Sequence, residues 1–426
     1  MAGVAILALL ATASPATANS SEVSSGDMLE WAVTSTLPAL TQQSDPHTDP
    51  ASPPIRIRPT DSSAHRARVA EDFKSECMIS LSARRPEGWA RSRFEQCFIG
   101  ARTANLLSRQ DATVVATIEM EYSLLAFSVD GSRKVDYIFD FDKFETKGGD
   151  PLPVTTLTVD FFGCGGNIAC APSLPMRMAT VPEWLAGNRM YSFSVTSPND
   201  TGEGDFKIAR SLMQMNMSIL TTAPNVYPWQ EAAMASSRVR FDSARAPLGN
   251  GKFHGAVFSD HQPVAEFSAH PDSEHREEAV HIDDALKAPL RTFPSIMNKS
   301  VPGEFGKPLH RLMNDTLKTK NNNASVGICV DVWGSGYPAG GLECDEYPFK
   351  TTYEGSATST GATEQNPDGG NANAWHGSAR PISGTHNSKG GTHLGVFYGQ
   401  NRVLDENRGT SSQGIPSDPF LVKVNW

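Results

Sequence analysis

The chain has no surplus of positive charge. Its 426 residues hold 37 Lys and Arg against 47 Asp and Glu, a formal charge of −10. That excludes whole-chain attraction to nucleic acid or to an anionic membrane. A nucleic-acid role would need a local basic patch or metal ions to offset the charge. After the first residues, no segment reaches the ~18 apolar residues of a spanning helix, so no membrane anchor is expected. No C-x-x-C pair occurs, and the cysteine spacings match neither zinc-finger nor ribbon sites. No repeat of solenoid period is present. A largely helical protein is not expected either, because 35 Gly and 29 Pro imply frequent turns.

What is present divides the chain. A length of 426 residues favours two or three domains. Residues 1–18 contain a short apolar run, Val4 to Leu10, and a small-residue stretch ending Ala16-Thr17-Ala18. This is the pattern of a secretory signal peptide, although no Lys or Arg follows Met1. Residues 19–65 are rich in Ser, Thr, Pro and Asp and read as a disordered leader or pro-segment. Residues 66–110 read as a helical segment, with helices expected over Arg66–Ser80 and Arg91–Ala104. From 111 to 265 the period shifts toward two, as in ATVVATIEMEYSLLAFSV and KVDYIFDFDKFET. That alternation predicts a β-rich, sandwich-like middle domain.

Residues 266–299 read as a helical connector, with Ala279, Ile282, Ala285 and Leu286 near one face. Residues 300–426 read as a mixed α+β domain. There PLHRLMNDTLKTK is a helix candidate, VGICVDVW a strand, HLGVFYGQN a helix or strand, and DPFLVKVNW a closing strand. The six cysteines fall into three sequence-local pairs, Cys77–Cys97, Cys164–Cys170 and Cys329–Cys344. With an export signal they read as disulfides, and the fold class is a secreted, multidomain one.

Reactive side chains concentrate near the C-terminus. Asp345, Glu346 and Glu354 lie in CDEYPFKTTYEG, with His310 upstream and Asn387 and Lys389 downstream. Asp331, His376, His386 and His393 complete the set. Carboxylates with Asn and His suit Mg²⁺ or Mn²⁺. Such an ion can hold a phosphodiester, activate water and neutralise a leaving oxygen. On a plain strand, adjacent residues face opposite sides, so only one of Asp345 and Glu346 is expected to face an ion.

CDEYPFKTTYEG resembles the signature of the NucA/NucB family of secreted bacterial deoxyribonucleases, through Cys344-Asp345-Glu346-Tyr347-Pro348-Phe349 and Glu354-Gly355. A second block, Asn387-Ser388-Lys389-Gly390-Gly391 with Gly395-Val396-Phe397, is similar to the family's Asn-x-x-Gly stretch. The HRLMND segment that carries His310 and the closing Asp418–Val424 strand are looser matches. Lys350-Thr351-Thr352, Ser388-Lys389 and the long Ser356–Arg380 loop depart from the family pattern.

The resemblance covers residues 300–426. It implies extracellular, metal-assisted cleavage of DNA with little sequence preference. Asp345 and Glu346 would act as ligands or base, Glu354 and His310 as further catalytic groups, and Asn387 and Lys389 as substrate contacts. Two rival readings are a binding protein with a degenerate nuclease-like module, recognising a glycan, cell wall or partner, and a delivered nuclease toxin. Tyr347, Phe349 and Tyr353 are expected in the core, and Cys344 is expected to pin the strand that carries the acids.

Overall fold

The computed structural model describes residue 58 and residues 60–162, 171–172, 176–187, 189–244, 254–406 and 418–426. The signal-peptide segment, nearly all of the leader, and the Cys164–Cys170 pair lie outside the described residues. Among the described residues no helix is long and apolar enough to cross a membrane.

The chain enters through helix α1 (Ser63–Ile79), capped by Ser62, whose hydroxyl accepts the His65 N–H. The helix expected over Arg91–Ala104 does not form. Residues Trp89–Ser92 (β1) and Glu95–Leu107 (β2) are antiparallel strands. The charged residues that mimic helical spacing are instead buried ion partners. Arg91 binds Glu95 through Nε at 2.9 Å and Nη2 at 2.5 Å, inside the protein. Cys77–Cys97 therefore ties a helix to a strand rather than two helices. Phe73 of α1 packs edge-on against Phe127, 5.5 Å between centroids.

The alternating segments fold as expected into strands β3 (Val114–Ser128), β4 (Lys134–Gly148) and β5 (Thr155–Phe162), and two short strands follow, β6 (Ala171–Pro172) and β7 (Met176–Thr180). After the short helix α2 (Val181–Leu185) come β8 (Met190–Thr196), β9 (Ala209–Thr221), β10 (Trp229–Asp242) and β11 (Gly255–Phe258). They form two sheets, in the orders β1-β2-β3-β4-β8-β6 and β11-β10-β9-β5-β7, with all their pairings antiparallel. Period-two alternation turns one row of each sheet inward. Phe139, Phe161 and Phe193 meet Met213, Met215 and Met217 in a single core.

The C-terminal region is mixed α/β and starts earlier than residue 300. Strand β12 (Val264–Ser268) pairs in parallel with the last strand, β16 (Pro419–Asn425), from Val264↔Leu421 to Ser268↔Asn425. The stretch read as a connector thus supplies a strand and helix α3 (Arg276–Lys287), whose Ala279, Ile282 and Ala285 are buried in this region's core.

His310 does not lie on a helix. It ends the two-residue strand β13 (Leu309–His310), paired antiparallel with β16. Helix α4 (Asp315–Trp333) begins at Asn314, whose side chain caps Leu317 N–H at 3.0 Å. It absorbs VGICVDVW, which was expected as a strand. Strands β14 (Leu342–Tyr347) and β15 (Ser378–Ser383) form an antiparallel ladder, and helix α5 (Gly384–Gln400) follows directly.

A buried ionic cluster joins the two-sheet module to the C-terminal region. Asp418 binds both Arg93 and Arg240, and its Oδ2 accepts the Leu404 N–H at 2.7 Å. Arg402 ion-pairs with Asp242, and its carbonyl accepts from Arg240 at 2.8 Å. The neighbouring guanidinium groups hold the Asp242 and Asp418 carboxyls below the usual range despite burial.

Candidate active site

The acidic motif is strand β14, seated by its own neighbours. The Cys329–Cys344 disulfide fixes the strand to α4 one residue before Asp345. Tyr347 and Phe349 are buried, 5.3 Å apart and edge to face, so the rings anchor the end of the strand in the core. The turn that follows wraps around the buried side chain of Asn321. Asn321 donates to the Lys350 and Thr352 carbonyls at 3.0 and 3.3 Å and accepts the Ala357 and Thr358 N–H groups at 2.9 Å each.

Asp345 and Glu346 both line one cavity of about 530 Å³. The expectation that only one of them would face it fails for a local reason. The ladder ends at Tyr347, and the longer Glu346 side chain folds over the following turn, where Oε1 accepts the Lys350 N–H at 3.3 Å. Glu278 of α3 joins them in the same wall. It is 3% exposed, and its Oε2 has no hydrogen-bond partner. Burial, and then the charges of Asp345 and Glu346, push the Glu278 carboxyl well above the carboxylate range. Burial likewise pushes Glu346 up to about 8, with Lys350 opposing and Asp345 adding to the shift.

Asp345 is 3% exposed and held from behind. Asp345↔Arg380 and Tyr347↔Ser378 are ladder pairs, so Asp345 and Ser378 are diagonal neighbours on one face. His281 of α3 bridges them, with Nδ1 2.6 Å from Asp345 Oδ2 and Nε2 2.7 Å from Ser378 Oγ. These are the residue types of an acyl-transfer triad. Ser378 is only 1% exposed, however, and no substrate carbonyl can reach it. The chain Ser378–His281–Asp345 orients the carboxylate.

His281→Ala would leave Asp345 Oδ2 and Ser378 Oγ buried without this partner. An unsatisfied buried group costs about 1–3 kcal/mol, more when charged. The expected loss is therefore about 2–6 kcal/mol, measured by urea unfolding, and Ser378→Ala, which strands only His281 Nε2, should cost about 1–3 kcal/mol.

Helix α5 forms the opposite wall with Asn387, Gly391, Leu394, Gly395 and Tyr398, residues that recur at helical spacing. A Cβ at Gly391 or Gly395 would meet nothing, so these glycines widen the cavity rather than permit packing. A Cβ at Gly390 would fall on the Glu278 carboxylate, so that glycine makes room for the acid. Asn387 Nδ2 donates to Glu343 Oε2 at 2.9 Å. Arg311, Lys318 and Lys350 supply positive charge around the cavity. Arg311 lies over the Tyr398 ring and donates to the Val403 carbonyl at 2.6 Å.

The other expected site residues lie apart. Glu354 and His310 bind each other. The His310 N–H reaches Glu354 Oε2, and Nδ1 reaches Oε1, both at 2.8 Å. Neither lines the cavity, although Arg311 beside His310 does. Lys389 pairs with Glu274 at 3.1 Å on an exposed surface, away from the cavity wall. His376 accepts the Ser300 N–H, His386 accepts the Glu277 N–H, and His393 stacks on His275.

Glu278, His281 and Ser378 were not singled out from sequence. A usable sign was present for two of them. Glu278 and His281 stand three apart and flank the apolar stripe Ala279–Ile282–Ala285, so the buried face of α3 had to carry two ionisable groups.

The high Glu346 carboxyl has a consequence for stability. In the unfolded chain it titrates near 4.5, and in the folded chain near 8. The folded state therefore holds the proton more tightly, and stability falls as pH rises between those values. This contribution is complete below about 4.5 and lost as pH passes about 8. In EDTA, the stability difference between wild type and Glu346→Gln should shift against wild type across that window. A difference independent of pH would contradict the assignment.

Among the described residues, no three His, Cys, Asp or Glu side chains are already drawn together as a metal cage. The donor chemistry nevertheless fits a hard cation. Carboxylates crowd one wall, one oxygen is orphaned and buried, and an amide side chain stands opposite. Carboxylates gathered in one buried site hold a proton more tightly, as Glu278 and Glu346 do here, or are neutralised by a cation.

The chain matches no protein-family model, and no curated protein resembles it significantly.

Proposed function

We propose that the protein is a secreted, metal-assisted endonuclease that hydrolyses DNA phosphodiester bonds. The single observation that carries this reading is the cavity that Glu278, Asp345 and Glu346 line together with Arg311, Lys318 and Lys350. Carboxylates suit Mg²⁺ or Mn²⁺, and the surrounding bases suit phosphate oxygens. The likeness of the 344–355 and 387–397 segments to NucA/NucB nucleases supports the same chemistry. The two disulfides among the described residues, and the signal-like first 18 residues, support export.

When bound, the ion supplies Lewis-acid polarisation of the phosphate and charge neutralisation. Asp345 and Glu346 would hold it, with Asp345 fixed by His281. Asn387 would position phosphate or water from the α5 wall. His310 has its Nδ1 held by Glu354, the geometry that leaves Nε2 to accept a proton. Its side chain is 18% exposed where that of His281 is fully buried, and its neighbour Arg311 lines the cavity. The sandwich-like module would serve recognition or support.

The test is supercoiled plasmid incubated with purified protein in Mg²⁺ or Mn²⁺ over a range of pH, with EDTA as control. The proposal expects nicking and linearisation that EDTA abolishes. Intact plasmid under every metal and pH would end it.

A further inference from the structure

We propose that a separate cavity of about 260 Å³, walled by Phe293, Trp333, Arg291 and Arg380, holds an unpaired nucleotide of a DNA strand. The base would lie against the rings and the phosphate on the arginines. This rests on the nuclease reading above and deepens it, because it names single-stranded or frayed DNA as the form that is gripped. A stacking ring, a local excess of positive charge and the position of the cavity point to this occupant.

The ring is Trp333. It ends α4 one turn beyond Cys329, whose disulfide to Cys344 fixes that end of the helix to β14. Phe293 stands edge-on to it, with centroids 5.4 Å apart and planes at 84°. Trp184, Trp229 and Trp375 are at most 3% exposed, whereas Trp333 is 40% exposed. An indole held at its edge and open to a cavity is a platform for a base, and every base has a face that stacks.

The charge is local. Asp284 is the one carboxylate in the wall, and Arg380 already donates to it at 2.7 Å. Arg291 is exposed and has no acidic partner among the described residues. Behind Thr292 of the same wall, Lys299 is 6% exposed and donates to Thr292 Oγ1 and the Pro294 carbonyl at 2.8 and 3.0 Å. No carboxylate opposes it, and burial pulls its ammonium down to about 8. Three cations thus surround one acid, in a chain whose formal charge is −10. A phosphate complements that excess.

The position links this cavity to the acidic one. Ser378 lines the first, Asp345 lines the second, and His281 bridges the two side chains. The cavities therefore stand at opposite ends of one short hydrogen-bonded chain, within reach of a few nucleotides of a single strand.

Other features carry less. His275 and His393 stack at 4.6 Å, but the first accepts the Ser268 N–H and the second meets the Glu266 carbonyl. Met176 and Met178 are exposed on an edge strand, and nothing in the structure shows what covers them.

The experiment uses the full chain in EDTA. Binding of a fluorescein-labelled oligothymidylate of about 12 nucleotides is followed by anisotropy, beside its duplex with oligodeoxyadenylate. Thymidine monophosphate serves as competitor. Trp333→Ala should weaken binding of the single strand at least about fivefold and change duplex binding no more than about twofold, because a paired base cannot stack there. Arg291→Ala should weaken single-strand binding and reduce the slope of log affinity against log salt by about 0.7. Arg291 is exposed, so this variant should melt with wild type and tests the cavity even if Trp333→Ala folds poorly. Single-strand affinity unchanged in folded Trp333→Ala or in Arg291→Ala would overturn the proposal. So would equal losses on single strand and duplex in Trp333→Ala. Thymidine monophosphate bound without the oligonucleotide would place a free nucleotide there and overturn it too. A wild type that does not bind the oligonucleotide also overturns it. If that protein still cuts plasmid in Mn²⁺, only this cavity's role falls. If it does not, the nuclease reading falls as well.

Discussion

Asp345→Asn and Glu346→Gln should each lower plasmid cleavage by about 10²–10⁴-fold, the range for removing a group that acts in the transition state. Both replacements keep size and hydrogen-bonding capacity. An asparagine at 345 can still accept from His281, so the strand and its anchor should survive. What is lost is negative charge facing the cavity, and with it the hold on the cation. Circular dichroism and melting temperature should stay near wild type for Asp345→Asn. For Glu346→Gln, stability in EDTA at pH 8 should rise, because a buried carboxyl no longer has to ionise. Lys389→Ala is the contrast. Lys389 is paired with Glu274 outside the cavity wall, and its loss should change cleavage by no more than about twofold. Equal losses in all three variants would point to a general effect on folding and against the assigned site.

Asp418→Ala should be the most destabilising of these changes, by about 3–5 kcal/mol, the cost of leaving a buried charge uncompensated. Asp418 faces two guanidinium groups, Arg93 and Arg240, each almost wholly buried. Removing the acid leaves like charges side by side and also strips the Leu404 N–H of its acceptor. The cluster draws on the β1–β2 turn, β10 and the segment after α5, so its loss should loosen one module from the other. Urea unfolding followed by far-ultraviolet signal and by tryptophan fluorescence would read both effects. A change below about 1 kcal/mol would show that the cluster is not the joint between the modules.

These features were legible in the sequence to different degrees. The long strands β3, β4 and β9 announced themselves, because alternating apolar and polar residues match a sheet with one buried face. The β1–β2 region did not. Its Arg91, Arg93 and Glu95 are polar residues inside the protein, and a pattern rule that places charge on the surface reads them as a solvated helix face. VGICVDVW misled in the opposite sense. Its β-branched residues favour a strand, but they complete a helix begun at the Asn314 cap, and packing under β14 and β15 overrides propensity.

The site shows the same division. Asp345 and Glu346 are adjacent and sit beside a disulfide and an aromatic seat, so a short stretch exposes them. Glu278 and His281 come from a helix more than 60 residues upstream, and Ser378 lies 97 residues from His281. No local spacing links them. They meet because α3 packs against β14, β15 and α5, while β12 just before it pairs with β16.

The most direct test of the account is metal-dependent cleavage by the purified chain beside Asp345→Asn. In Mn²⁺, wild type should convert supercoiled plasmid to nicked and linear forms, EDTA should stop it, and folded Asp345→Asn should be slower by at least about 10²-fold. Plasmid left intact by wild type, or cut equally fast by the folded variant, would contradict it.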